Sequence, residues 1–473
     1  MSFVSRIGRP WLMWLTTLVL LQGSLGQTPP TPALTLAVPI PAPTPALLPA
    51  TTPVPAPPLA PVSFTDPQGL SKLSSLGQAP DWSALEAFQK VLSKQEFEDA
   101  WRTTYASEGP FPPPYEIQGD AVLIPTGNPA KPTIRIEFKT GAASAAAEPP
   151  PRYWRRADEL PLLNRRPPLS DIHIAIDPGH IGGAYARMEE RYLSFHPGEA
   201  IQEGDLALLT GQILAERLKA LGAYVSLVRD KPEPVTEQRP ANLELVARQI
   251  LKDAGIPEPA LKYDGLTGDA KVITAQWQAE KLFYRVSEIH ARAAKVNQQI
   301  KPDVVLCLHL NAEEWGVSEA PQYSPVNHMH VMVNGCYAPV ELQQQDVRFE
   351  MFKRLFTRIH EEELPLATAV AEGMAQTTHL PAYVYTTPIA RHAGPGPYVY
   401  ARNLLANRLF LCPVVYLEPF VMNHEETYRR LLLGHFAGQT LVAGRLQGSA
   451  IEDYVSGVVK GLLAYYQSHR RSS

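Results

Sequence analysis

Cysteine is scarce in this chain, with three in 473 residues. Three thiols cannot build a disulfide framework, and a zinc site made of thiolates alone needs about four. Any metal must therefore be held mainly by His, Asp or Glu. An excess of one charge is also lacking. The net charge is −4, from 43 Lys and Arg against 47 Asp and Glu. That balance excludes a dedicated nucleic-acid binder, which carries a basic face. The apolar run Trp11 to Leu21 is too short for a bilayer span, which takes ~20 residues.

Proline, by contrast, is abundant. There are 47, roughly twice the usual share of about 5%. Part of the excess lies near the N-terminus. Arg6 and Arg9 precede the apolar run, and Ser24 and Gly26 follow it ahead of Gln27. Residues 1–26 thus read as a signal peptide, with an uncleaved anchor as the alternative. Either reading places the rest of the chain outside the cytoplasm, in the periplasm or secreted. No cysteine follows the run, so no stable membrane anchor is expected after cleavage. Residues 27–67 are mostly Pro, Ala, Thr and Leu. Proline removes donors and fixes φ, so this tract is expected to be a disordered, extended linker.

Residues 68–168 read as a small accessory α+β region. Leu85, Phe88, Val91, Leu92 and Phe97 recur at helical spacing within Trp82 to Tyr105. Two strands are expected at Asp120 to Ile124 and Thr133 to Phe138. Trp154 is expected to pack beside solvated Arg155 and Arg156. The region either targets a neighbouring domain or packs on it.

From residue 169 to 473 strands and helices alternate. Strands are expected at Ile172 to Ile176, Ala223 to Val228, Val304 to Leu308, His330 to Val333 and Leu411 to Leu417. Helices are expected at Leu206 to Leu221, Val286 to Ile300, Val340 to Thr377 with an interruption at Pro365, and Thr427 to Leu446. The pattern predicts an α/β fold, a mostly parallel twisted sheet with helices on both faces. In such sheets sites form beyond the carboxyl ends of the strands. That rule selects His180, His309 and Glu418, each closing an apolar strand. Two imidazoles and a carboxylate suit catalytic zinc, which takes three protein ligands and keeps a fourth position open. If Glu418 is reserved for proton transfer, another carboxylate must complete the set.

Ile174-Ala-Ile-Asp-Pro-Gly-His180, with Gly182 and Gly183, resembles the opening motif of zinc-dependent N-acetylmuramoyl-L-alanine amidases. Arg292, Val296-Asn297 and Val304-Val-Leu-Cys-Leu-His309-Leu-Asn311 are similar to that family's middle segment. Val415-Tyr-Leu-Glu418-Pro-Phe420 and Asn423 are similar to its closing one. The resemblance runs in order from about Ile172 to Leu446. It implies Zn2+ held by His180, Glu203 and His309, with Glu418 as the catalytic acid and base. Glu203 is preferred over Glu199, Glu190 and Glu189 because only Glu203 directly precedes the helix. The chain departs from the family in Ile181 after the first His, in Cys307, and in the missing Gly before Phe420.

The implied reaction is hydrolysis of the amide between N-acetylmuramic acid and L-alanine in peptidoglycan. Zinc polarises the carbonyl and activates water, and Glu418 moves the proton. Asn311 is a candidate to orient a ligand or the substrate, and Arg391 and His392 to meet substrate carboxylates. Asp177 reads as a turn or supporting residue. Residues 231–288 form an insertion: a lid, a docking surface for an activator protein, or a packed decoration. Its Arg239-Pro-Ala-Asn242 imitates the family's Arg and Asn but does not lead into the His309 strand. The alternatives are a zinc peptidase cutting within the stem peptide and a catalytically silent wall-binding protein. Cys307 and Cys412, in apolar strands, read as buried thiols, Cys336 beside Gly335 is the odd one out, and a disulfide stays open if two of the three meet.

Overall fold

The computed structural model describes residues 64, 69–109, 111–140, 150–317 and 320–470. The segments read as signal peptide and linker lie outside the described residues, apart from Phe64. No helix among the described residues is long and apolar enough to cross a membrane.

The centre is a seven-stranded sheet. In chain order its strands are β1 (His173–Pro178), β2 (Tyr224–Leu227), β3 (Val304–Leu308), β4 (Met329–Val333), β5 (Arg391–His392), β6 (Val399–Ala401) and β7 (Val414–Pro419). They lie side by side as β5-β6-β4-β7-β3-β1-β2. β2, β1, β3 and β7 run parallel to one another. β4 runs against β7 but parallel to β6, and β5 runs against β6. The α/β fold with a mostly parallel sheet is therefore as expected.

β3 and β4 are buried at every position because both faces of the sheet are covered, and β3 is apolar throughout. On one face, Ile174, Ile176, Leu306, Leu308, Val415 and Leu417 form a single core. Helices α1 (Glu203–Ala220), α5 (Ile359–Thr378) and α6 (Ala450–His469) cover it through Leu214, Val370, Val458 and Leu462. Truncating a fully buried strand residue here, such as Leu306, should cost about 2–5 kcal/mol. α5 and α6 cross closely at glycines. A Cβ on Gly373 would lie 2.5 Å from the Gly461 nitrogen.

The other face carries Asp177, Cys307 and Tyr416 side by side across β1, β3 and β7. A helical run from Ala275 to Ile300 packs on it. This run continues the insertion's first helix pair: α2 (Pro240–Asp253) and α3 (Ala275–Leu282) bury Leu243, Ala247, Ala279 and Leu282 with Ile181. Arg239 and Asn242 turn out to begin α2, where the Asn242 side chain accepts from the Arg239 N–H at 2.9 Å.

Residues 69–139 share a core with α4 (Gln345–Phe356). The Phe97 ring stacks near Phe352 and Phe356, with centroids 6.3 and 5.7 Å apart. Val62–Ser473 forms one compact unit. The two expected strands are present as Ala121–Pro125 and Thr133–Glu137, joined by Glu116–Gln118.

Several expectations need correction. Trp82 to Tyr105 is not one helix. It breaks at Lys90, which is left-handed (φ 61), and restarts at Lys94–Ala100 behind the Ser93 capping box. Pro365 does not interrupt its helix. The break falls at Arg358 (φ 58), and Pro365 sits inside α5, where flanking Leu366 and Ala367 are fully buried. Thr427 to Leu446 is a helix only to Leu432. Gly434 and Gly438 adopt positive φ, and a hairpin of Thr440–Val442 and Arg445–Gln447 follows. Arg155 and Arg156 are not free in solvent but pair with Asp303 (2.7 Å) and Glu361 (3.0 Å), while Trp154 is buried as expected. All three cysteines are buried and free.

Candidate active site

The parallel strands β1, β3 and β7 deliver their carboxyl ends to one rim, with His180, His309 and Glu418 on it. β1 ends in Asp-Pro-Gly, and His180 follows in the left-handed region (φ 55). A non-glycine residue there is held by its surroundings. Buried Arg292 supplies the hold. Its Nη2 donates to the His180 carbonyl and its Nη1 to that of Pro178, both at 2.7 Å, while Nη1 also pairs with Asp177 at 2.9 Å. Asp177 is thus a supporting residue.

Glu189 fixes the loop from the other side. Its carboxylate accepts from the backbone N–H of Ile181 and of Gly182 at 3.0 Å and lies 3.5 Å from His180 Nδ1. With Nδ1 occupied, Nε2 faces Glu203 Oε2 at 3.1 Å. Orienting a ligand imidazole through its second nitrogen is what metal sites require. Glu190 instead pairs with Lys271 at 3.1 Å, and Glu199 lies on the hairpin Tyr192–Gln202.

Glu203 is the first residue of α1. Its Oε1 lies 3.2 Å from His309 Nδ1 and accepts from the Leu310 N–H at 3.1 Å. Its Oε2 takes Arg191 Nε at 3.0 Å. Burial alone would raise the Glu203 carboxyl, but His180, His309 and Arg191 hold it well below the usual range. It is an anion in the folded protein. Burial pushes His309 the other way, toward the neutral imidazole a metal needs. The His309 ring stacks on Tyr416 (centroids 4.5 Å, 12°). It lies so close over the backbone that a Cβ on Gly179 would come within 2.3 Å of it. Only glycine fits there.

The three donor atoms lie within 4.8 Å of one another. Zinc bonds of about 2.0–2.1 Å at tetrahedral angles put neighbouring donors about 3.3 Å apart. Glu203 approaches that spacing to each imidazole through a different oxygen, Oε2 to His180 Nε2 at 3.1 Å and Oε1 to His309 Nδ1 at 3.2 Å. The donor set, its burial and its spacing fit a zinc ion.

Glu418 stands beside this cluster. Tyr416 shares its face of β7, two residues earlier, and carries the His309 ring. The register pairs Glu418 directly with His330 of β4, and His330 Nε2 lies 3.2 Å from Glu418 Oε2. Sequence reasoning missed this histidine. The strand-end rule looks only at carboxyl ends, but β4 is antiparallel to β7 and reaches the rim with its first residues. A lone His inside the apolar run Met329–Val333 was the available signal.

Asn311 also reaches this rim. Its Oδ1 accepts from the Ala312 N–H at 2.7 Å, and its Nδ2 lies 3.4 Å from His328 Nδ1. Arg391 and His392 are not brought to it. They form β5 at the far edge of the sheet, beyond β6 and β4. Arg391 Nη1 donates to the Arg102 carbonyl at 2.5 Å, and a His392 ring nitrogen meets the Gly396 carbonyl at 2.7 Å.

No family model matches the chain, and no curated protein does. Solved structures of N-acetylmuramoyl-L-alanine amidases are similar to it. The apo form of Ami1 from Mycobacterium abscessus is 14% identical, covering 63% of this chain and 99% of its own, with a TM-score of 0.33. The CwlD amidase from Clostridioides difficile, in complex with the GerS lipoprotein, is 13% identical over 63% and 100%, with a TM-score of 0.35. AmiC2 of Nostoc punctiforme is 14% identical over 63% and 99%, with a TM-score of 0.32. At these identities and TM-scores, the functional reading has to stand on the chain's own residues.

Proposed function

We propose that the chain is a zinc-dependent N-acetylmuramoyl-L-alanine amidase of the cell envelope. The observation that carries this reading is the largely buried His180–Glu203–His309 cluster with a separate carboxylate, Glu418, on the same rim. His180, Glu203 and His309 would hold the ion. When bound, zinc polarises an amide carbonyl and makes water a better nucleophile near neutral pH. Glu418 takes the proton from the attacking water. It then passes that proton to the amide nitrogen as the C–N bond breaks, leaving the lactyl carboxylate and the free amine of L-alanine. This acid–base work needs reach of about 3 Å to the water and the nitrogen.

Arg292 and Glu189 keep the His180 loop in place throughout, and Tyr416 keeps the His309 ring against the sheet. Asn311 is the candidate substrate contact that lies at this rim, whereas Arg391 and His392 stand off from it. The signal-like N-terminus and the proline tract suit an enzyme whose substrate is an insoluble polymer outside the inner membrane.

Digestion of purified peptidoglycan followed by mass analysis tests the assignment. Release of intact stem peptides with a free L-alanine amine supports it. Fragments cut within the peptide would replace it with the peptidase reading, and binding without products with the silent wall-binding one.

A further inference from the structure

His330 is nearly fully buried at the rim, and the reaction just described gives it no task. Its Nε2 has two polar neighbours: Glu418 Oε2 at 3.2 Å and the Tyr385 hydroxyl at 3.1 Å. Arg402 Nη1 donates to that hydroxyl at 3.1 Å. The hydroxyl also lies 3.4 Å from Met332 Sδ, which can receive its proton. His330 Nδ1 is buried and has no hydrogen-bond partner. The rings of Tyr383 and Tyr385 wall the imidazole in, with centroids at 5.0 and 5.4 Å.

These contacts assign the tautomer. An ionised carboxylate only accepts, so a hydrogen bond to Glu418 requires the proton on Nε2. Nδ1 is then a bare acceptor, which is tolerable when buried. The opposite tautomer would bury an unpaired N–H and set a ring lone pair against the carboxylate. Arg402 fills one lone pair of the Tyr385 oxygen and Met332 takes its hydrogen, so nothing there competes to protonate His330.

We infer that His330, held by Tyr385 and Arg402, is a positioning residue for Glu418. It donates one hydrogen bond that fixes one carboxylate oxygen and the plane of the group before substrate arrives. This rests on the reading of Glu418 as the proton carrier. The antiparallel register of β4 and β7 makes the arrangement rigid, because the two residues are direct cross-strand neighbours. Without the donor, Glu418 loses its aim, so the loss falls on turnover and not on substrate binding.

The test compares the wild type with His330→Phe and His330→Gln. Phe keeps a ring but no donor, and Gln restores an N–H near the position of Nε2. His330→Phe should lower kcat about 10- to 100-fold, the range seen when such a supporting partner is lost. KM and zinc content should stay at the wild-type level, and His330→Gln should recover most of kcat. Wild-type kcat in the Phe variant, or an equal loss in both variants, overturns the inference. A readout independent of substrate is the long-range 1H–15N spectrum of the imidazoles, with the His330 signal identified by its loss in His330→Gln. It should show the proton on Nε2, and protonation at Nδ1 alone overturns the inference even if the Phe variant fails to fold. If zinc-loaded wild type releases no stem peptides, the amidase reading fails, while the spectrum still decides whether His330 donates to Glu418.

Discussion

The rim has two halves, and they are built differently. The half proposed to hold the metal takes His180 and His309 from the ends of parallel strands and Glu203 from the first residue of α1. Bonds to the backbone aim two of them: Arg292 on the His180 carbonyl, Glu189 on the following N–H groups, and the Leu310 N–H on Glu203, while the Tyr416 ring places His309. The proton half takes Glu418 from the end of β7. Side chains from an antiparallel strand and a distant loop, His330, Tyr385 and Arg402, then support it. One half is held largely by bonds between side chains and main chain, the other by a hydrogen-bonded chain of side chains. Damage to the first should therefore appear as lost metal, and damage to the second as lost turnover.

The largest effects should separate the halves outright. Glu418→Gln should keep about one zinc per chain and lose turnover by about 10²- to 10⁴-fold, the usual weight of a general acid–base. His309→Ala should lose both. Equal zinc loss in the two variants, measured by elemental analysis, would erase the division. Next, Glu189→Ala frees His180 Nδ1 and the loop N–H groups, so zinc affinity should fall about 10- to 100-fold. Competition with a chelator reads this directly, and unchanged affinity would show that the Glu189 contacts do not matter to the ligand.

A third effect sets the pH window for any comparison of the halves. His360 of α5 is largely buried with its ring edge on Tyr105, and burial pushes its pKa down from 6.5 to about 4. The unfolded chain therefore binds a proton that the folded chain refuses between those values. Stability is fully present above pH ~6.5 and falls as pH drops toward ~4, by up to about 3 kcal/mol. Denaturant titrations of wild type and His360→Phe should show a shallower acid loss in the variant. Parallel curves would remove His360 as the cause. The smallest effect is Lys271→Ala, which cuts a part-exposed pair with Glu190 beside the His180 loop. It should cost no more than about 1 kcal/mol and leave zinc in place. A clear loss of zinc would mean that the insertion helps to hold the metal loop.

The two halves also differed in how far they could be read from residues alone. Val304 to Leu308 is apolar at every position, so its burial on both faces and the placing of His309 at its end follow from composition. Glu203 was legible because it starts a helix. His330 was not, because nothing local says that β4 is antiparallel and presents its start to the rim. Arg391 and His392 suggested a carboxylate-binding loop by charge, yet β6 and β4 lie between their strand and β7. The helix Ala450–His469 went unread, although Gly457 and Gly461 allow its close crossing with α5. Long-range pairing decides these features, and local pattern does not encode it.

The central claim is that one half of the rim holds zinc while Glu418 moves the proton that breaks the muramyl–alanine amide. The most direct measurement is mass analysis of peptidoglycan digested by wild type and by Glu418→Gln at matched zinc content. The account predicts free stem peptides from the wild type and almost none from the variant. Stem peptides released equally by both, or fragments cut inside the peptide, would contradict it.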